Sequence, residues 1–111
     1  MGEESYPDCI KSLPEAKISL PGVQGWVAQG NEFQIVFFEI EPIGSIPPHS
    51  HKAQFGIVFE GEMMLTMGEE TKLYKKGGTY YIPEGVVHRA EFSTFFRAMD
   101  FFSENNRYET E

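Results

Sequence analysis

Cysteine is almost missing from this sequence: Cys9 is the one thiol among 111 residues. An internal disulfide is excluded, and with it the small secreted scaffold held by cross-links. Positive charge is scarce as well, with 9 Lys and Arg against 17 Asp and Glu and a net charge of −8. Binding to a phosphate backbone runs on clustered cations, so no nucleic-acid partner is expected. No apolar run approaches the ~18 residues of a membrane span. Residues 1–20 carry early acidic groups and no apolar central stretch, unlike a secretory leader. These absences predict a cytoplasmic protein without a membrane partner. No stretch long enough for several helical turns keeps an apolar period of 3.6. The one helical turn expected is at residues 8–13, capped by Asp8.

Aromatic residues, by contrast, are plentiful, with 10 Phe and 5 Tyr. Eleven Gly and seven Pro punctuate the chain at short intervals. Between them lie stretches rich in Val, Ile, Phe, Tyr and Thr, the pattern of many short strands in an all-β sandwich or barrel. Residues 33–41 give the clearest strand. Phe33, Ile35 and Phe37 share one face and Gln34, Val36, Phe38 and Ile40 the other, so both faces are covered. Residues 54–60, 62–67, 71–75, 79–82, 86–92 and 95–102 read as further strands, with Gly61 at a bend and residues 68–70 as a hairpin loop. A chain of this length buries roughly two thirds of its unfolded surface, enough for one core, and residues 1–111 are read as a single domain. The acidic stretch 104–111 reads as a frayed terminus.

Chemistry concentrates in three histidines, His49, His51 and His88. On an extended strand, the i, i+2 pair leaves the same face with Cα atoms about 6.6 Å apart, close enough for two imidazoles to lean onto one ion. Pro47-Pro48 restricts the backbone just before the pair. His88 follows the proline turn 83–87 into a strand. If that strand lies beside the first pair, three imidazoles converge. Gln54 is the next polar candidate. The plainer alternative is two surface histidines and a glutamine that bonds a loop.

The arrangement Gly44-(x)4-His49-x-His51-(x)2-Gln54-(x)6-Gly61 resembles the first signature motif of the cupin superfamily. Gly77-(x)5-Pro83-x-Gly85-(x)2-His88-(x)3-Phe92 resembles the second. Motif one thus spans 44–61 and motif two 77–92. The resemblance implies a double-stranded β-helix, or jelly-roll barrel, with a metal in its mouth. It implies His49, His51, Gln54 and His88 as the ligands of a divalent transition metal: Ni, Zn, Fe or Mn. The family's usual fourth ligand is Glu. Three imidazoles and an amide oxygen are all neutral, so the ion keeps its full charge and acts as a stronger Lewis acid.

A Gln at this place also resembles a narrower group, the small cupins of pectin and alginate breakdown that linearise 4,5-unsaturated uronates. Their Arg-(x)2-Asp-x-Phe pattern is similar to Arg97-(x)2-Asp100-x-Phe102, followed here by Arg107. The resemblance implies Arg97 and Asp100 as catalytic residues, the first for the substrate carboxylate and the second for proton movement. Strict alternation puts residues three apart on opposite faces, so both reach one cavity only through a bulge or at a strand end. Tyr80 and Phe102 are read as pocket wall. Two other functions stand beside sugar-acid isomerisation. One is a metal-dependent dioxygenase, and the other is a non-enzymatic binding or sensor barrel. If Gln54 faces a metal, Phe55, Ile57 and Phe59 alternate outward. That apolar stripe calls for a cover, and a symmetric homodimer is predicted.

Overall fold

The punctuated stretches fold as strands of two antiparallel sheets in a computed structural model describing residues 6–111. Residues 1–5, part of the stretch read for a leader, lie outside the described residues. A short helix, α1 (Asp8–Lys11), is followed by β1 (Val23–Gln29), β2 (Gln34–Ile40), β3 (Gly44–His49), β4 (Gln54–Glu60) and β5 (Glu62–Met67). Then come β6 (Glu70–Lys75), β7 (Thr79–Ile82), β8 (His88–Phe92) and β9 (Phe96–Phe102). One sheet runs β1-β2-β9-β4-β7, the other β3-β8-β5-β6, the double-sheet jelly roll expected of the sequence.

Alternation on β2 decides which residues form the core. Gln34, Val36, Phe38 and Ile40 are buried, while Ile35, Phe37 and Glu39 are half-buried on the outer face. The ladder extends this pattern across the sheet. Val27, Val36, Asp100, Gly56 and Tyr80 are successive register partners and form one inward row. Gln29, Gln34, Phe102, Gln54 and Ile82 form the next. The second sheet closes the core with His88, Ala90 and Phe92 of β8 and Met63 and Leu65 of β5, all buried. Aromatic pairs join the two layers, Phe92 to Phe96 at 4.9 Å and Tyr74 to Tyr80 at 5.5 Å between ring centroids. Gly61 takes φ +84° between β4 and β5, and a Cβ there would lie 2.1 Å from the Phe95 carbonyl oxygen.

Three local expectations are corrected. The residue before α1 is Pro7, in extended conformation, and Asp8 lies inside the first turn without capping it. Pro7 has a fixed φ suited to the flanking position, and the helix begins one residue earlier than an Asp8 cap requires. Strand β3 ends at His49, so His51 stands beyond it in a loop. The ladder to β8 slips between Ile46 and His49, where Pro47 and Pro48 have no N–H to donate. The acidic terminus is paired: Ala16 bridges Thr110, Lys17 N–H donates to the Glu109 carbonyl, and Glu111 N–H donates to the Glu15 carbonyl.

Candidate metal centre and cavity

The mouth of the barrel brings together side chains from β3, the following loop, and β8. His49 and His88 are direct register partners. Their ring centroids are 4.3 Å apart, with His51 at 5.2 Å from His49 and 4.8 Å from His88. The same backbone device orients all three rings. His49 Nδ1 donates to the Pro47 carbonyl at 2.9 Å, His51 Nδ1 to the Lys52 carbonyl at 2.7 Å, and His88 Nδ1 to the Val86 carbonyl at 2.9 Å. A carbonyl accepts only, so the proton of each neutral ring sits on Nδ1 and each Nε2 keeps its lone pair. The candidate ligand atoms lie within 4.8 Å of one another. An ion with bonds of ~2.1 Å holds its ligands roughly 3–4 Å apart, which small ring rotations reach. The donor set therefore fits a divalent transition metal.

Protonation of His51 and His88 is disfavoured. Burial lowers His51 to about 4, and the Arg107 guanidinium and the other two rings push the same way against its bond to the Lys52 carbonyl. His88 is lowered too, first by burial, then by His49 and Arg107. Both effects keep imidazoles neutral and ready to coordinate.

Behind the histidines lies a cavity of about 580 Å³. Asp100 is 2 % exposed on its wall. Its Oδ1 accepts from the Tyr80 hydroxyl at 2.6 Å and from Gln54 Nε2 at 2.8 Å. Gly56 makes this possible: it lies between Asp100 and Tyr80 in the row, and a Cβ there would lie 2.2 Å from Tyr80 Cζ and 2.4 Å from Asp100 Oδ1. Burial raises Asp100 to about 6, although both hydrogen bonds oppose the rise. Anchoring Nε2 on Asp100 sets the flip of the Gln54 amide and leaves Oε1 without a hydrogen-bond partner among the described residues. Phe102 lies edge-on to His51 at 5.5 Å and, like Tyr80, lines the cavity.

Arg97 is elsewhere. It sits on the opposite face of β9 from Asp100, with no bulge between them in the β2 ladder, and does not reach the cavity. Its Nε donates to Glu39 Oε2 at 3.0 Å and its Nη1 to Glu60. Two cations do line the cavity, the exposed Lys17 and, from the segment after β9, Arg107. Arg107 Cζ lies 4.6 Å from the Tyr108 ring and 5.9 Å from the Phe102 ring. Among the described residues, Arg107 Nε is the buried side-chain polar atom left without a hydrogen-bond partner. Its only sequence signal was its place five residues beyond Phe102, outside any strand pattern.

Comparison with known proteins agrees with this fold. Xanthan biosynthesis protein XanB of Xanthomonas campestris pathovar campestris is 34% identical over 70 residues, covering 61% of this chain and 15% of XanB. The chain thus spans about 15% of the length of the curated relatives it matches. An RmlC-like cupin from Shewanella frigidimarina NCIMB 400 superposes with a TM-score of 0.75 at 21% identity, over 93% of this chain and 91% of that one. KdgF from a Halomonas species superposes with a TM-score of 0.70 at 19% identity, over 80% and 87%. These likenesses show the fold. The Cupin_2 family, described as a cupin domain, matches residues 36–97, more than half of the sequence. The chain belongs to the Cupin_2 family.

Proposed function

We propose that this cupin is a metal-dependent isomerase of a small sugar acid, opening the ring of a 4,5-unsaturated uronate. One observation carries the reading: three imidazole lone pairs converge in a cavity that also holds a buried carboxyl, Asp100, and an unsatisfied cation, Arg107. The volume suits a monosaccharide. The similarity to a xanthan biosynthesis protein supports a carbohydrate ligand.

His49, His51, His88 and the Gln54 amide oxygen would hold a divalent Ni, Zn, Fe or Mn ion. Bound there, the ion supplies Lewis-acid polarisation of an oxygen beside the substrate carboxylate. Arg107 receives that carboxylate by a charge-assisted, forked contact. The Tyr80 and Gln54 bonds occupy Asp100 Oδ1, leaving Oδ2 without a partner among the described residues. Asp100 takes the proton of the anomeric hydroxyl as C1=O forms and the bond from C1 to the ring oxygen breaks. The freed electron pair makes that oxygen an enolate at C5. Asp100 then returns the proton to C4, and C5=O forms. Substrate and product are isomers, so no co-reactant is needed. A carboxyl near neutrality suits this double transfer.

The test is incubation of purified, metal-loaded protein with 4,5-unsaturated galacturonate, followed by NMR. Accelerated loss of the ring alkene and growth of an open-chain keto acid are expected. No acceleration with Ni, Zn, Fe or Mn overturns the reading.

A second copy of the chain is the partner proposed for the outer face of the five-stranded sheet. Ile35, Phe101, Phe55 and Tyr81 form one outward row, in which Phe55, Phe101 and Tyr81 are 45%, 38% and 56% exposed. The next row, Phe37, Met99, Ile57 and Thr79, is uncharged too. On a chain of net charge −8, these two uncharged rows are where two copies approach with least repulsion. A dimer is expected by analytical ultracentrifugation and a monomer for Phe101→Glu. A wild-type monomer at micromolar concentration contradicts it.

A further inference from the structure

Gln34 is the one polar residue on the inner face of β2, 1% exposed next to Val36 on its own strand and Phe102 on β9. No chemistry of the site uses it. Its amide is nonetheless fully engaged. Nε2 donates to the Tyr108 carbonyl at 2.9 Å and to Gln29 Oε1 at 2.8 Å, and Oε1 accepts from Tyr108 N–H at 3.0 Å. The first and last of these bonds pair a side-chain amide with a backbone, as a strand neighbour does. Gln29 continues the chain of contacts, its Nε2 donating to the Asn105 carbonyl at 2.8 Å. The two glutamines therefore grip the backbone at Asn105 and at Tyr108, on both sides of Arg107.

We infer that the Gln29–Gln34 amide pair is the positioning device of a cavity cation: by clamping the segment after β9 on either side of Arg107, it holds the guanidinium in the wall where an anionic ligand docks. No strand supports Arg107, since β9 ends at Phe102. Beyond the clamp, the segment is tied again through Ala16–Thr110 and Lys17–Glu109. Without the glutamines, the segment keeps the Asn105 side-chain bond to the Asn31 carbonyl and the Tyr108 ring packed on Phe38 and Phe102, but loses the bonds to its own backbone on either side of Arg107. Burying an amide is costly unless every bond is made, and here two of the three bonds go to Tyr108 and the third to Gln29, which itself holds Asn105. The role in ligand capture rests on the sugar-acid reading above; the clamping of Arg107 does not.

The test separates the two. Gln34→Leu and Gln29→Ala are made in the full chain, with melting and metal content as checks of folding. Gln34→Glu keeps the acceptor for Tyr108 N–H, loses both donated bonds, and substitutes if the Leu variant fails to fold. The substrate-free readouts are hydrogen exchange at the Tyr108 amide and the NMR signal of the Arg107 Nε proton. Both are expected to exchange about tenfold faster or more in Gln34→Leu, and less so in Gln29→Ala. Unchanged exchange at both protons in a folded Gln34 variant overturns the inference whatever the protein binds. With 4,5-unsaturated galacturonate, Gln34→Leu is expected to raise KM about tenfold while kcat stays near wild type. In an Arg107→Met background it is expected to add nothing further. An equal increase in that background assigns Gln34 a merely structural role and overturns the positioning claim.

Discussion

Arg97 and Asp100 lie three residues apart on β9, both almost wholly buried, at 7% and 2% exposure, and they show what each face of one strand is for. Outside, Arg97 is closed off: two carboxylates, Glu39 and Glu60, satisfy it, and the Tyr6 and Phe95 rings pack at 5.7 and 4.9 Å. Inside, Asp100 receives two neutral donors on one oxygen and no cation. A charge neutralised on every side stabilises the sheet and is unavailable for chemistry. A carboxyl given hydrogen bonds but no counter-charge stays close to neutrality and able to exchange a proton.

The contrast is broken most severely by two substitutions read in parallel. Asp100→Asn is expected to cost about 10²- to 10⁴-fold in kcat of uronate ring opening, because it removes the proton carrier. Arg97→Met is expected to leave kcat within a few-fold but to cost about 1.5–3 kcal/mol of stability by removing the charged hydrogen bonds to Glu39 and Glu60, read by urea unfolding. Exchanged outcomes would reverse the assignment of the two faces. Gly56→Ala tests the inner face alone. Its methyl group overpacks Tyr80 and Asp100, and a loss of about 1–3 kcal/mol is expected together with lower kcat. Wild-type behaviour would mean that the Tyr80–Asp100 bond is dispensable.

The pH dependence of the metal-free protein sharpens the comparison least dramatically. His51 is lowered to about 4 from 6.5, so the unfolded chain binds the proton more readily and stability falls as pH drops through that window. Asp100 is raised to about 6 from 3.8, so the folded chain gains that proton first and stability from this group grows as pH drops through 6 towards 3.8. The two oppose each other. Metal-free Asp100→Asn should therefore lose stability more steeply than wild type between pH 6.5 and 4, in urea titrations at stepped pH. Parallel slopes contradict the buried, uncompensated carboxyl.

Much of this was legible in residue order. Both cupin signatures, the strands flanking Gly61, and the outward Phe55 follow from motif spacing and alternation of period two. Alternation also carried the objection to Arg97, since residues three apart share a cavity only with a bulge, and the β2 ladder is regular between them. His51 lies off the strand because the two prolines, read as stiffening, also shift the ladder, which ends at His49. Arg107 and the paired terminus escaped for a different reason. They are held by Gln29, Gln34 and residues 15–17, so only long-range contacts place them. The cue was Gln34 itself, an amide at an inward position among apolar neighbours.

The central claim is that His49, His51 and His88 close on one ion. Titrating the metal-free protein with Co²⁺ and following its d–d absorption tests it most directly. Saturation at one ion per chain is expected, with affinity weakened about 10²-fold or more by His88→Ala. A titration without saturation, or one that His88→Ala leaves unchanged, would contradict it.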